Sequence, residues 1–133
     1  MSAIKTLIVD DNAGFRRRVS ELLISESDIE VVGEAADGRE ALRKARQLKP
    51  NLVLMDVRMP GLNGIDATAQ LKREVPETKV IILTRYDLEE YRKAVAASGA
   101  SGYVVKKTVL ETLLPTIQEI CTAEEKQRDN GRT

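Results

Sequence analysis

Leu7-Ile8-Val9-Asp10-Asp11-Asn12 is the stretch whose reading decides the fold. Three apolar residues that suit a strand run straight into two adjacent carboxylates. Charges at the end of a buried strand are either turn and helix-cap residues or the ligands of something cationic. The same grammar recurs along the chain. Strand-like segments fall at Lys5–Asp10, Ile29–Glu34, Leu52–Asp56, Lys79–Thr84 and Gly102–Val105. Amphipathic stretches lie between them: Phe15, Val19, Leu22 and Leu23 share one helical face, as do Ala41, Leu42, Ala45 and Leu48. Ile65, Ala69 and Leu71 to Val75 mark a third helix, Leu88, Tyr91 and Val95 a fourth, and Leu110, Leu113, Leu114 and Ile117 a fifth.

Boundary signals agree with this alternation. Asp87 and Thr108 are each followed three residues later by an acid, the pattern of an N-cap (Glu90 and Glu111). Pro115 falls inside the fifth helical pattern, where it removes a hydrogen bond, so that helix is expected to kink or to start late. Five strands alternating with five helices imply an α/β domain with a doubly wound, five-stranded parallel sheet covered on both faces. The strand order 2-1-3-4-5 fits, with its switch point between the first and third strands. Residues 1–122 form this domain, and residues 123–133 read as a polar linker or tail, since Glu124 to Thr133 carry no apolar side chain.

Totals narrow the function. Twenty-one basic residues balance twenty-one acidic ones, so there is no bulk pull toward nucleic acid or a membrane surface. The longest apolar runs, such as Leu52–Met55 and Val80–Leu83, fall far short of the ~20 residues of a membrane helix. The first five residues lead directly into a strand pattern without a signal peptide, and the single cysteine, Cys121, has no partner in the chain. A reducing cytoplasm is the expected setting. The chain has no histidine, which excludes a Ser-His-Asp triad and a Cys/His zinc site. No phosphate-binding glycine loop follows a strand.

In the expected topology Asp10, Asp11, Asp56, Thr84 and Lys106 all arrive at one edge of the sheet, where such folds bind ligands. Each alone has an ordinary explanation as a turn acid, a strand-end threonine or a solvated lysine. Together they are three carboxylates, a hydroxyl and an ammonium. Clustered acids either raise a pKa or share a hard cation, and Mg²⁺ (or Mn²⁺) with one or two carboxylates suits phosphoryl chemistry. Asp56 is then a candidate nucleophile, with Lys106 balancing phosphoryl charge and Thr84 bonding a phosphoryl oxygen.

These residues resemble a response-regulator receiver domain of the CheY-like superfamily. The resemblance covers residues 4–122 and rests on Val9-Asp10-Asp11, Met55-Asp56-Val57-Arg58-Met59-Pro60-Gly61, Ile82-Leu83-Thr84 and Gly102-Tyr103-Val104-Val105-Lys106. Val31-Val32-Gly33-Glu34-Ala35 and the stretch from Ala100 to Lys106 are similar to the NarL/FixJ (LuxR-type) subgroup, whose members carry a DNA-binding domain after the receiver. The resemblance implies phosphorylation of Asp56 by a sensor histidine kinase. It also implies Mg²⁺ held by Asp10, Asp11, Asp56 and the main-chain carbonyl of Arg58. Thr84 and Tyr103 would form a switch pair that rearranges the face of helix 4, strand 5 and helix 5, where a homodimer would form.

Departures from the family pattern matter too. Arg85 stands where a small residue is general, and Arg58 and Tyr86 are bulky at two positions expected to slow phosphate loss by hindering water. Lys107 beside Lys106 leaves a register choice, in which the three-residue spacing from Tyr103 favours Lys106. Gly61 and Gly64 either shape the loop beside the site or serve as plain turns. The rival readings are a small metal-dependent phosphotransferase, a phosphorylation-independent interaction module on the same fold, and a stand-alone receiver without DNA-binding output. Direct DNA binding by this chain lacks support, because no helix-turn-helix pattern follows the fifth helix.

Overall fold

A computed structural model describes residues 3–131, with side chains for residues 3–121. Five parallel strands, β1 (Ile4–Val9), β2 (Ile29–Ala35), β3 (Leu52–Asp56), β4 (Lys79–Thr84) and β5 (Gly102–Val105), form one sheet in the order β2-β1-β3-β4-β5. The helices are α1 (Ala13–Ile24), α2 (Gly38–Leu48), α3 (Gly64–Glu74), α4 (Glu89–Ser98) and α5 (Val109–Gly131). A 3₁₀ turn at Lys106–Thr108 joins β5 to α5. The five expected strands are all present, each within a residue of its expected bounds.

Alternate side chains of the buried strands point to opposite faces, and this divides the core in two. Leu7, Val9, Val53, Met55, Val80 and Ile82 pack against Ala41, Leu42 and Ala45 of α2, Ala67 and Leu71 of α3, and Val95 of α4. Ile8, Leu52, Leu54, Ile81, Leu83 and Val104 pack against Phe15, Val19 and Leu23 of α1 and Val109, Leu113 and Ile117 of α5. Both faces of β1, β3 and β4 are therefore covered, which is why these strands read as continuous apolar runs. The β1–β2 register slips after Thr6, where Leu7 pairs Gly33 and Val32 is skipped. A side chain at Gly33 would come 3.0 Å from Leu48 Cδ1.

Three local expectations are corrected. Leu110 is 61% exposed, and the core position at the start of α5 belongs to Val109. Leu113 and Ile117 keep the expected phase, and Val109, four residues before Leu113, is the buried residue of the first turn. Pro115 does not make α5 start late: the helix begins at Val109 and runs through it. Pro115 and Glu111 are both exposed, so the turn that lacks a hydrogen bond at the proline lies on the solvent side of the helix. Asp87 and Thr108 are not N-caps: α4 is preceded by Leu88 without a side-chain cap bond, and the Thr108 hydroxyl donates 3.4 Å to the Val105 carbonyl. The side chains of the polar stretch from residue 123 onward lie outside the described residues.

Candidate functional site

The loops at the carboxyl ends of the strands are built from capped helix starts. Asn12 accepts a hydrogen bond from Phe15 N at 2.9 Å, Asp37 from Glu40 N at 2.8 Å and Asn63 from Asp66 N at 2.9 Å, which fixes the first turns of α1, α2 and α3. The side chain of Asp10 takes part as well, accepting from Asn12 N at 2.9 Å. Arg16 ties this turn down from α1, donating 2.5 Å to the Asp10 carbonyl and 2.9 Å to Glu34 at the end of β2. The loop after β3 closes tightly. A Cβ on Gly64 would lie 1.7 Å from the Asp56 carbonyl oxygen, so only glycine permits this approach. Gly61 is a plain turn residue, at φ +75° with open space around it.

Adjacent strands β1 and β3 bring the acids together across the switch point. One oxygen from each of Asp10, Asp11 and Asp56 lies within 4.8 Å of the others. Asp10 is fully buried, Asp56 is 5% exposed and Asp11 faces solvent. From the far edge of the sheet, Lys106 Nζ reaches Asp10 Oδ2 at 2.5 Å and Asp56 Oδ1 at 3.1 Å. Burial raises the pKa of Asp56 above the ordinary carboxylate range, the negative charge of Asp10 adds to this, and Lys106 opposes it. This is a buried carboxyl held in an excess of negative charge, with one ammonium among three acids. Such a donor set fits a hard divalent cation, for which oxygen ligands and one open, solvent-facing side are the usual requirement.

A cavity of about 190 Å³ opens beside Asp56 and Asp11, lined also by Thr84, Arg58, Arg85 and Tyr86. Its rim is aromatic and cationic. The Arg58 guanidinium sits 5.4 Å from the Tyr86 ring centroid and donates to the Tyr91 hydroxyl at 3.4 Å. Arg58 and Tyr86 therefore occupy the mouth, as their positions implied. Arg85 lies at the same edge and is exposed. The Thr84 hydroxyl is engaged with its own loop, exchanging 3.1 Å hydrogen bonds with the main chain of Tyr86.

Tyr103 pairs in register with Ile82 on β4, two residues before Thr84. Its ring is half-buried, and its hydroxyl donates to the carboxylate of Asp87. Arg92 completes this group: it bonds Asp87 at 2.7 Å, and its guanidinium lies 5.1 Å from the Tyr103 ring centroid. Those two bonds, from Tyr103 first and then Arg92, lower the Asp87 pKa.

Asp10, Asp11, Asp56, Thr84 and Lys106 are thus brought together as the sequence suggested, with Arg58 on the same rim. Between the two lysines, Lys106 points into the acids and Lys107 is exposed. Sequence reasoning missed four participants. The Phe15 ring lies 4.4 Å from Lys106 Nζ, Tyr91 partners Arg58, and Asp87 with Arg92 holds Tyr103. The sequence pattern places Phe15 only on the apolar face of the first helix. A bulky aromatic four residues after an acid pair was its one available signal.

Comparison with known proteins agrees with this geometry. The family model for the response regulator receiver domain matches residues 6–118. Response regulator protein VraR of Staphylococcus aureus is 42% identical over 123 residues, which is 91% of this chain and 58% of that protein. The chain therefore spans less than two thirds of that curated relative. A LuxR-family two-component response regulator from Aurantimonas sp. SI85-9A1 superposes with a TM-score of 0.87 at 31% identity, covering 92% of this chain and 87% of that one. A DNA-binding LuxR-family response regulator from Staphylococcus aureus gives 0.82 at 26% identity, covering 88% and 98%. No helix among the described residues is long and apolar enough to cross a membrane. An acid trio served by one lysine at the switch point of a 2-1-3-4-5 sheet, matched along most of its length by a single family, identifies this chain as a response-regulator receiver domain.

Proposed function

We propose that Asp56 accepts a phosphoryl group from the phosphohistidine of a sensor histidine kinase. The observation that carries this is the Lys106 ammonium bridging Asp10 and Asp56, at 2.5 and 3.1 Å, beside an open cavity. An Asp56 carboxylate oxygen attacks phosphorus. The O–P bond forms as the N–P bond breaks, and the imidazole leaves to take up a proton. Lys106 needs only to keep its contact with Asp56 while a phosphoryl oxygen arrives beside it, so charge compensation is already in place. Asp10, Asp11, Asp56 and the Arg58 main-chain carbonyl would hold Mg²⁺ (or Mn²⁺), which when bound offsets the negative charge of the acids and of the phosphoryl oxygens. The chain turns over no external substrate; it is a regulator that catalyses only its own phosphorylation and dephosphorylation.

The output follows from Thr84 and Tyr103. Thr84 leaves its bonds to Tyr86 for a phosphoryl oxygen, the β4–α4 loop follows, and Tyr103 turns inward behind it. This changes the face made by α4, β5 and α5, a charge event biasing a two-state element. The first turn of α5 and the residue before α4 each expose a leucine, Leu110 at 61% and Leu88 at 44%, apolar surface that homodimerisation on this face would cover. A transcriptional output, through a DNA-binding region outside this chain, is supported by the DNA-binding description of the staphylococcal structure. The setting would be the cytoplasm.

The test is incubation with acetyl phosphate and Mg²⁺ followed by intact mass. One added phosphoryl group is expected, absent in Asp56→Asn and after chelation. Catalytic turnover of a phosphate monoester would favour the phosphotransferase reading, and no uptake under any condition would favour the phosphorylation-independent module.

A further inference from the structure

Lys106 must deliver its ammonium to one point on a flexible four-carbon stem. It starts from β5 at the edge of the sheet and ends over β1 and β3. Its side chain is 12% exposed, so the ammonium is largely stripped of water. Two of its directions are taken by Asp10 and Asp56. The Phe15 ring lies against it as well, with the centroid 4.4 Å from Nζ, well inside the ~6 Å range in which an aromatic face attracts a cation. Phe15 is itself fixed: it is 7% exposed, packs in the core beside Val109 and Leu113, and its amide donates to the α1 cap Asn12. The Asn12 amide in turn donates to Asp10. One short turn therefore places both an acid partner and an aromatic wall around the same ammonium.

We propose that Phe15 is a positioning residue for phosphoryl acceptance, its ring holding the Lys106 ammonium between Asp10 and Asp56. This rests on the role given to Lys106 above. The ring blocks the side from which water would otherwise solvate the ammonium, and its negative face replaces that water with a fixed attraction. An aliphatic side chain of similar size fills the core equally well but offers no such attraction, leaving the lysine free to swing toward Asp11 and solvent.

The test compares Phe15→Leu, Phe15→Tyr and 3,4,5-trifluorophenylalanine at position 15, the last keeping the ring's shape while draining its negative face. Phosphoryl uptake from acetyl phosphate is followed by intact mass at varied donor concentration, and NMR records the ring-current shift of the Lys106 ε-protons. Phe15→Leu should lose the upfield shift and slow saturated uptake by about five- to thirtyfold. The tyrosine variant should keep most of the rate, and the fluorinated ring should slow uptake with unchanged melting temperature. In a Lys106→Ala background, Phe15→Leu should change the rate no further. Full rate with the fluorinated ring, equal losses in the leucine and tyrosine variants, or an equal loss without Lys106 would each overturn the proposal. Should the wild type take up no phosphoryl group, the functional reading fails, and the lysine shift still decides whether the ring holds the ammonium.

Discussion

Replacing Asp56 by asparagine in the absence of divalent cations is expected to stabilise the fold. At an effective dielectric of about 20, unit charges no more than 4.8 Å apart repel by at least about 3.5 kcal/mol, which is the scale for Asp56 facing Asp10. Lys106 at 3.1 Å attracts by about 5 kcal/mol on the same footing. Asp11 adds a further repulsion, weakened because it is exposed. These direct terms nearly cancel, so desolvation of a carboxylate left 5% exposed decides the sign. Asparagine removes that cost, and its amide oxygen still accepts from Lys106, whose 2.5 Å bond to Asp10 is untouched. The expected gain is about 1–3 kcal/mol, at about 4 °C per kcal/mol for a domain of this size. Calorimetric melts in chelator should show it. The pKa of Asp56 is raised in the fold, so its penalty grows as pH rises above the unfolded carboxylate value and is complete above the raised folded one. The advantage of asparagine should therefore shrink on acidification. Saturating Mg²⁺, near 100 times its dissociation constant, should stabilise the wild type by about 2.7 kcal/mol and the variant by less. A lower melting temperature for Asp56→Asn in chelator would refute the reasoning, since it would mean that the acid is held by favourable contacts rather than kept ready for a cation.

Other perturbations probe the rim, the loop and the switch. Arg58→Ala and Tyr86→Ala should each shorten the half-life of the phosphoprotein, on the order of tenfold or 1.4 kcal/mol of barrier, by opening the mouth to water; phosphate release assays showing no acceleration in either variant would exclude hindered water as the cause of slow loss. Gly64→Ala should cost at least about 3 kcal/mol in urea unfolding, because its Cβ would fall 1.7 Å from the Asp56 carbonyl, whereas Gly61→Ala should cost only the ~1–2 kcal/mol of a left-handed backbone; equal costs would contradict the close approach. Asp87→Ala should release Tyr103 and lower the beryllofluoride concentration needed for its NMR shift change by up to about fivefold, the range of an exposed ion pair. Because the pKa of Asp87 is depressed, its hold on Tyr103 should survive acidification through the ordinary carboxylate range and be lost only below it.

The fold was legible because parallel strands buried on both faces must be continuous apolar runs, and nothing else in a chain of this length requires five of them. The acid site was legible for a related reason: charges at the ends of such strands have no role in the core, and strand order dictates which ends are neighbours. What escaped was decided by competition between local and distant partners. Asp87 has the local pattern of a helix cap, yet the Tyr103 hydroxyl and the Arg92 guanidinium, sixteen and five residues away, take its carboxylate instead. A cap replaces one water-bonded amide, at about 1 kcal/mol, and the start of α4 is exposed enough for water to serve its free amides. Tyr103 is only half-buried, but its hydroxyl and the Arg92 guanidinium give Asp87 two partners where a cap would give one. The α4 start is thereby left without a side-chain cap, at the point where the proposed switch needs the backbone to move. A conventional cap at Asp87 would have made this turn more stable and the rearrangement harder. The mismatch between local signal and observed partner is what the proposed switch would require of its hinge.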